Sequence, residues 1–218
     1  MKHLLRDLDN LKRDILVIGS LVESALTKAS TALIESRQDL AKEVIEGDAE
    51  IDRREVDLEN DCLKVLALHQ PVAADLRFVV AVLKVNNDLE RMGDLAGSIA
   101  GRTLSLIGSK QPAPAQEFRV LVDCVIAMVR GSLDSLVNQD KELARKVCKS
   151  DDEVDRMHRE NIQTLQAKMI HEPTLIPEAV CSLTISRALE RIADLATNIA
   201  EDVLFMIDGE ILRHRDEF

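Results

Sequence analysis

The residues of this chain that could do chemistry are acidic side chains, which occur in pairs four residues apart within a segment that occurs twice. Glu90 and Asp94 bracket the first copy of a Glu-Arg-x-x-Asp segment, and Glu190 and Asp194 bracket the second. On a helix, side chains four positions apart lie one above the other on one face. Two like charges at that spacing destabilise an isolated helix by roughly 0.2–0.5 kcal/mol. Because both copies keep the pair, the pattern favours a ligand that offsets the repulsion, and a hard metal ion is one candidate.

Further acids at the same spacing precede each copy. Asp48 and Asp52 align with Asp151 and Asp155. Three residues beyond each of these pairs stands another oxygen or nitrogen donor along the same side of the helix. The candidate metal ligands are therefore Asp48, Asp52, Glu55, Glu90 and Asp94 in the first copy and Asp151, Asp155, His158, Glu190 and Asp194 in the second.

Long helices must position these acids. Apolar residues recur in alternating steps of three and four, which predicts six helices over about 3–36, 39–68, 71–107, 115–137, 140–170 and 177–208. The second helix could kink or restart at Gly47-Asp48. We expect an all-α protein of two tandem three-helix bundles, 1–108 and 116–210, related by a pseudo-twofold axis. A linker at 109–115 joins them, and a charged tail follows at 211–218.

The acid pairs of neighbouring helices should meet. In an antiparallel hairpin, residues equally far from the turn lie at the same height. Asp52 stands about 18 residues before the first turn and Glu90 about 20 residues after it, so both lie near 28 Å along the hairpin, at about 1.5 Å per residue. In the second copy, Asp155 and Glu190 come level in the same way. Each hairpin can thus offer four or more carboxylate oxygens to a cation.

A surface position for the acids is the simpler alternative to a metal site. Charged residues are almost never fully buried, and an isolated acid pair on a helix usually faces solvent. Four pairs that come level in both hairpins favour open surface metal sites, where oxygen ligands select magnesium, manganese or iron over zinc. The imidazole of His158 makes the donor set of the second site slightly softer, in the sense of hard and soft metal ligands. We expect Arg91 and Arg191 to form simple ion pairs with neighbouring acids.

Composition narrows the function classes. The 218 residues are 46% apolar and 31% charged and include no Trp or Tyr, which is typical of long helices. A net charge of −11 and the lack of aromatic stacking platforms argue against nucleic acid as a partner. The apolar run from Ile15 to Val22 is too short to span a bilayer, so we expect a soluble, cytoplasmic protein without membrane insertion. The four cysteines stand singly and predict reduced thiols.

Three stretches together carry a specific resemblance to one family. They are 40–48 (LAKEVIEGD), 70–77 (QPVAADLR) and the two Glu-Arg-x-x-Asp segments. In this combination, which covers nearly the whole chain, the sequence resembles the PhoU family of accessory and regulatory proteins of bacterial high-affinity phosphate uptake. The resemblance implies a tandem three-helix-bundle protein that is usually dimeric. The second repeat departs from the pattern at 172–178 (EPTLIPE), which is shorter by two residues between proline and motif, so the two sites are expected to differ in occupancy or metal.

The resemblance also implies partners and ligands. Such proteins act at the cytoplasmic face of the phosphate ABC transporter and restrain the phosphate-sensing histidine kinase when phosphate is plentiful. Some members carry multinuclear metal clusters, iron in particular, on paired acidic motifs. Those motifs correspond here to Asp48, Asp52, Glu90 and Asp94, and to Asp151, Asp155, Glu190 and Asp194. The implied partners are the transporter ATPase, the kinase and a second copy in a homodimer.

Two other function classes are consistent with the acids. A di-metal carboxylate enzyme, either an oxidase or a phosphoesterase, also uses acids in a helical bundle. However, ferritin-like sites take Glu-x-x-His pairs that face the bundle interior, and the acids here lack that spacing. The chain also shows no activated nucleophile and no glycine-rich phosphate loop. The other class is a metal-free helical interaction protein whose acids are only solvated. We expect a non-enzymatic signalling adaptor.

Overall fold

The computed structural model describes residues 2–109 and 115–209, which are helical almost throughout. Within these ranges there are six α-helices, one short 3-10 helix and no β-strand. The elements are α1 (Lys2–Glu35), α2 (Gln38–His69), α3 (Ala73–Ile107), α4 (Ala115–Asn138), α5 (Lys141–His171), the 3-10 helix (Pro173–Leu175) and α6 (Ile176–Asp208). The prediction of an all-α protein with six long helices is confirmed.

The first three helices form one bundle, in which each packs against the other two. Leu11, Ile15, Ile18 and Val22 of α1 recur every three or four residues, and each is at most 1% exposed. That spacing keeps them on one face, which points at α2 and α3. Burying each such side chain stabilises the fold by about 1.5–3 kcal/mol before conformational entropy is counted.

The last three long helices repeat this arrangement. In α4, Leu121, Val125 and Met128 are at most 2% exposed, and they face α5 and α6. α6 is the most deeply buried of the three, with Ile192 and Ile199 fully enclosed. The short 3-10 helix at Pro173–Leu175 connects α5 to α6, and the sequence analysis did not predict it.

Equivalent helices of the two bundles pack against each other: α3 contacts α6, and α1 contacts α4. α3 and α6 run antiparallel. Arg77, near the start of α3, donates from Nε to the Met206 carbonyl oxygen at 3.2 Å, near the end of α6. Just past the end of α3, Ser109 Oγ donates to Glu178 Oε1 at 2.8 Å, in the first turn of α6. Antiparallel contact between equivalent helices is what a pseudo-twofold axis produces, as predicted.

Two local expectations differ from the structure. α2 runs without interruption through Gly47, because Val44 and Ile51 on either side are buried in the bundle and hold the helix in place. A single glycine disfavours the helix by only about 1 kcal/mol, which this packing exceeds. α3 begins at Ala73 rather than Pro71, after an extended Val72. Residues 110–114 of the predicted linker and the whole predicted tail lie outside the described residues.

By length and composition alone, α1 could cross a membrane, since its most apolar 18-residue window has a mean hydropathy of 1.3. No other helix of the described ranges meets that criterion. The apolar side chains of α1 are already used in the bundle, where Ile15, Val22 and Ala29 are at most 1% exposed. A core helix of a bundle passes the same criterion, so α1 is explained by its packing.

Candidate metal centres

The first cluster of acids lies between α2 and α3 and consists of Asp48, Asp52, Glu90 and Asp94, with Glu55 beside it. One carboxylate oxygen from each of the three aspartates lies within 4.8 Å of the other two. Two of these aspartates come from consecutive turns of α2 and the third from α3. The hairpin therefore brings both predicted acid pairs to the same height. Asp52 and Asp94 are exposed and Asp48 is half-buried, so the cluster opens to solvent.

Partial burial and the charges of neighbouring carboxylates both disfavour the ionised forms of Asp48 and Glu90. Burial raises the pKa of Asp48, and the Asp52 and Asp94 carboxylates raise it further. Burial also raises the pKa of Glu90, to which Asp94 and then Glu55 add. A bound cation would reverse these shifts, because it stabilises the ionised carboxylates.

Gly93 allows α2 and α3 to approach closely at the first cluster. A Cβ atom at this position would lie 3.2 Å from Ile51 Cδ1 and 3.5 Å from Asp48 Oδ1. The first of these distances is shorter than an ordinary van der Waals contact. The equivalent residue on α6 is Ala193, which does carry a Cβ and is fully buried. The two hairpins therefore differ in side-chain volume directly beneath their acids.

The second cluster lies between α5 and α6 and consists of Asp151, Asp155, Glu190 and Asp194. Burial raises the pKa of Asp151 to about 6, and the Asp194 and Asp155 carboxylates contribute next. Burial also raises the pKa of Asp194, again with a contribution from Asp155. Burial raises the pKa of Glu190 as well, and the Asp194 carboxylate is the next largest cause. All four predicted acids of this repeat are thus brought within electrostatic reach of one another.

One atom of the second cluster has no bonding partner. Asp151 Oδ1 is buried and accepts no hydrogen bond. A buried oxygen left in this state destabilises a protein by about 1–3 kcal/mol. A cation would satisfy it, and the surrounding carboxylates form the all-oxygen donor set that magnesium, manganese and iron accept. Among the described residues only the first cluster brings three donor atoms within 4.8 Å of one another. The second cluster fits a hard cation by the type of its donors, and ligation by either cluster stays a prediction.

Two buried polar residues that the sequence analysis missed position the flanking ligands. His158 Nδ1 lies 2.8 Å from Ser186 Oγ, and Ser186 is fully buried in α6. In the first repeat, Asn86 Nδ2 donates to the Glu55 carbonyl oxygen at 2.9 Å and lies 3.5 Å from Glu55 Oε1. Each contact holds a predicted ligand from the neighbouring helix. The available signal was a polar residue within an apolar stripe, four positions before each motif glutamate.

A depression of about 330 Å³ lies between the two clusters. Its walls come from α3 and α6 and consist of Arg91, Asp94, Leu95, Arg191, Asp194, Leu195 and Asn198. Equivalent residues of both repeats face this one space, so the pseudo-twofold axis passes through it. Asp94 belongs to the first cluster and Asp194 to the second, which makes the two clusters neighbours. The ion pairs expected for Arg91 and Arg191 are absent from the described residues.

Comparison with known proteins identifies the family. The PhoU domain matches this chain twice, at residues 15–103 and 118–203. The chain belongs to the PhoU family. Each match covers most of one three-helix bundle, so one PhoU domain corresponds to one repeat and carries one acid cluster.

Relatives in the PhoU family align with almost the whole chain. The phosphate-specific transport system accessory protein PhoU homolog of Aquifex aeolicus is 37% identical over 212 residues, which cover 97% of this chain and 96% of the relative. The PhoU protein of Escherichia coli is 30% identical over 208 residues, covering 95% and 86%.

Solved PhoU structures share the fold. The crystal structure of PhoU from Pseudomonas aeruginosa superposes with a TM-score of 0.92 at 34% identity and covers 94% of this chain and 99% of that one. The phosphate transport system regulatory protein PhoU from Streptococcus pneumoniae gives a TM-score of 0.89 at 28% identity, with 95% and 98% covered. The tandem helical-bundle architecture is therefore shared with these two PhoU proteins.

Proposed function

We propose that this chain is a metal-binding regulatory adaptor of high-affinity phosphate uptake. It restrains the phosphate-sensing histidine kinase and modulates the phosphate ABC transporter when phosphate is plentiful. The names of its relatives, accessory and regulatory proteins of phosphate transport, support a regulatory role in phosphate uptake. The observation that supports metal binding most strongly is the meeting of Asp48, Asp52 and Asp94 oxygens within 4.8 Å.

The number of donors supports a cluster of several ions in each repeat. Magnesium usually takes only one or two carboxylates from a protein and keeps several waters. Each repeat here supplies five predicted donors, including Glu55 beside the first cluster and His158 beside the second. This number of donors would suit two or more iron or manganese ions better than one hydrated magnesium ion.

Charge neutralisation links metal occupancy to the geometry of the helices. Without cations, the acids of α2 repel those of α3, and the acids of α5 repel those of α6. Bound cations remove this repulsion and tie each pair of helices together. Because α3 and α6 also form the contact between the bundles, a change in either hairpin reaches the other bundle. The metal state thereby controls the surfaces that partners recognise.

Exposed apolar residues at the ends of both hairpins support docking to other proteins. Leu68 and Val72 flank the α2–α3 turn and are 76% and 75% exposed. Ile170 and Ile176 flank the α5–α6 turn and are 80% and 44% exposed. Because α3 and α6 run antiparallel, these two turns lie at opposite ends of the molecule. We assign the transporter ATPase and the histidine kinase as partners of these surfaces, in the cytoplasm, with a second copy completing a homodimer.

Elemental analysis of protein purified without chelator tests metal binding. Wild type is compared with Glu90→Gln/Asp94→Asn and with Glu190→Gln/Asp194→Asn, each of which removes two acids from one cluster. We expect wild type to retain iron or manganese. Each double variant should lose the part of the metal that one cluster holds. Absence of metal from wild type, even after soaking in iron and manganese, would reduce the clusters to solvated acids of a metal-free interaction protein.

Pull-down from phosphate-replete cells tests the adaptor role. Tagged wild type should recover the transporter ATPase and the histidine kinase, and both should be lost or weakened for the two double variants. Recovery of neither partner by wild type would contradict the proposal. A generic phosphate ester turned over by wild type, but not by Asp94→Asn/Asp194→Asn, would instead favour a di-metal enzyme.

A further inference from the structure

Two arginines without a close ion pair among the described residues lie in the depression between the clusters. Arg91 and Arg191 are both exposed and both line this space. Within the described ranges, neither guanidinium lies within 4.0 Å of a carboxylate. On other faces, by contrast, Arg54 pairs with Glu50 at 2.6 Å. Arg191 still lowers the pKa of Asp194 from a longer distance. Because neither guanidinium is held in a close ion pair, their N–H donors are available to an external ligand.

Helical spacing and the pseudo-twofold axis bring the two guanidinium groups to one place. Arg91 precedes Asp94 by three residues on α3, and Arg191 precedes Asp194 by three residues on α6, so each arginine lies on the side of its helix that carries the acid. The axis places one arginine on each wall of the depression. Asn198 adds a side-chain amide to the same lining. A ligand in the depression would meet donors from both bundles.

Metal occupancy sets the sign of the charge around this depression. Without cations, the two clusters flank the arginines with an excess of carboxylates, so the field there repels an anion. Cations in both clusters offset those carboxylates and leave the two guanidinium groups as the free charges that line the space. A ligand that carries negative charge would therefore bind only after the metals.

We infer that the depression is an oxyanion site, in which a tetrahedral dianion of the phosphate class lies between Arg91 and Arg191 with Asn198 as a further donor. The planar fork of each guanidinium matches two oxygens of such an anion. This inference rests on the proposed metal binding, because cations must first neutralise the flanking acids. One anion held by α3 and α6 together ties the two bundles, so the protein responds jointly to metal and to oxyanion.

Equilibrium dialysis with radiolabelled inorganic phosphate tests the site in the full chain. Wild type and Arg91→Gln/Arg191→Gln are loaded with manganese, and excess metal is removed. The matched control is Arg102→Gln, an exposed arginine on α3 outside the depression. We expect equal phosphate binding by wild type and the control, at least tenfold weaker binding by the double variant, and none by metal-free wild type. Unlabelled sulfate should compete, and chloride at equal ionic strength should not.

Manganese content, measured in every sample, separates this inference from the proposed function. Manganese retained by wild type without phosphate binding would overturn the oxyanion site alone. Equal phosphate binding by wild type and the double variant would place the anion on the metals and also overturn it. Competition by chloride as strong as that by sulfate would do the same, because it indicates only a counterion atmosphere. Failure of wild type to retain manganese would remove both proposals.

Discussion

Lys84 of α3 donates from Nζ to Asp202 Oδ1 of α6 at 2.9 Å, across the contact between the two bundles. The Asp202 side chain is only 3% exposed, whereas that of Lys84 is 40% exposed. The lysine thus brings a positive charge to a carboxylate that water hardly reaches. Its Nζ also lies 5.2 Å from the centroid of the Phe205 ring. The equivalent positions in the other repeat hold Thr184 and Arg102, so the pseudo-twofold axis does not repeat this pair.

Replacing Lys84 should loosen the contact between the bundles. We expect Lys84→Met to lower the free energy of unfolding by about 2 kcal/mol, because it removes the positive charge of the lysine from a carboxylate that water hardly reaches. Urea denaturation followed by circular dichroism measures the change. The matched control is Lys28→Met, whose pair with Glu43 joins side chains that are 43% and 54% exposed. That surface pair should contribute less than about 1 kcal/mol, and equal losses in the two variants would contradict the prediction.

Replacing Gly93 with a larger residue should weaken metal binding at the first cluster more than it changes the stability of the fold. In Gly93→Ala, the new Cβ would lie 3.2 Å from Ile51 Cδ1, so the Ile51 side chain must shift by a few tenths of an ångström next to Asp48 and Asp52. The better helix propensity of alanine, about 1 kcal/mol, offsets much of that strain. We therefore expect a small change in melting temperature and a clear loss of manganese affinity at the first cluster, measured by titration calorimetry. Ala193→Gly is the control. Wild-type affinity in Gly93→Ala would show that the close approach is not needed.

Through Asp151 alone, the metal-free protein should lose stability as pH rises from about 4 to about 6. The pKa of Asp151 is raised to about 6 in the folded chain, above its unfolded value of 3.8. The folded state therefore holds this proton over that range while the unfolded state has lost it, and stability falls with rising pH. Asp151→Asn removes this contribution and should raise the free energy of unfolding at pH 7 by about 1 kcal/mol, after allowance for solvent screening.

The comparison of wild type with Asp151→Asn isolates this group from the other acids. Both proteins are unfolded thermally in chelator at several pH values between 4 and 7. We expect the two melting temperatures to be close at pH 4 and to diverge as pH rises. Added manganese should reverse the order at pH 7, because the cation stabilises the ionised carboxylate that the variant lacks. Parallel pH profiles would mean that Asp151 ionises normally in the folded protein.

The two clusters should prefer different metals. His158 makes its contact with Ser186 through Nδ1, which leaves Nε2 available as a ligand. Imidazole favours zinc and other transition metals over magnesium. We expect the ratio of zinc affinity to magnesium affinity to be at least tenfold higher at the second cluster than at the first. Competition between the two metals measures this ratio for each cluster separately, in the double variant that disables the other cluster. His158→Glu should remove this difference, and Glu55→His should transfer it to the first cluster. An unchanged zinc-to-magnesium ratio in His158→Glu would exclude the imidazole as a ligand.

The positions of the acids along each hairpin could be predicted because they depend on local geometry. α2 and α3 are consecutive helices joined by a short turn, so residue counting at about 1.5 Å per residue fixes which positions come level. Asp48 and Asp52 meet Asp94 for that reason. Counting could not show that Asn86 would hold Glu55, because the direction of each side chain depends on how the helices rotate against each other.

The sequence by itself determined the six helices, the two repeats and the pairing of acids within each hairpin. Apolar periodicity specifies which helix faces are buried, and short connections specify which helices are neighbours. Only the tertiary structure decided how α3 packs on α6. That contact places Lys84 beside Asp202, and it brings Arg91, Arg191 and one aspartate of each cluster to one depression. These residues are about 100 positions apart, and periodicity shows that a face is apolar without showing which distant face will cover it. Their meeting depends on the complementary shapes of two whole helix surfaces.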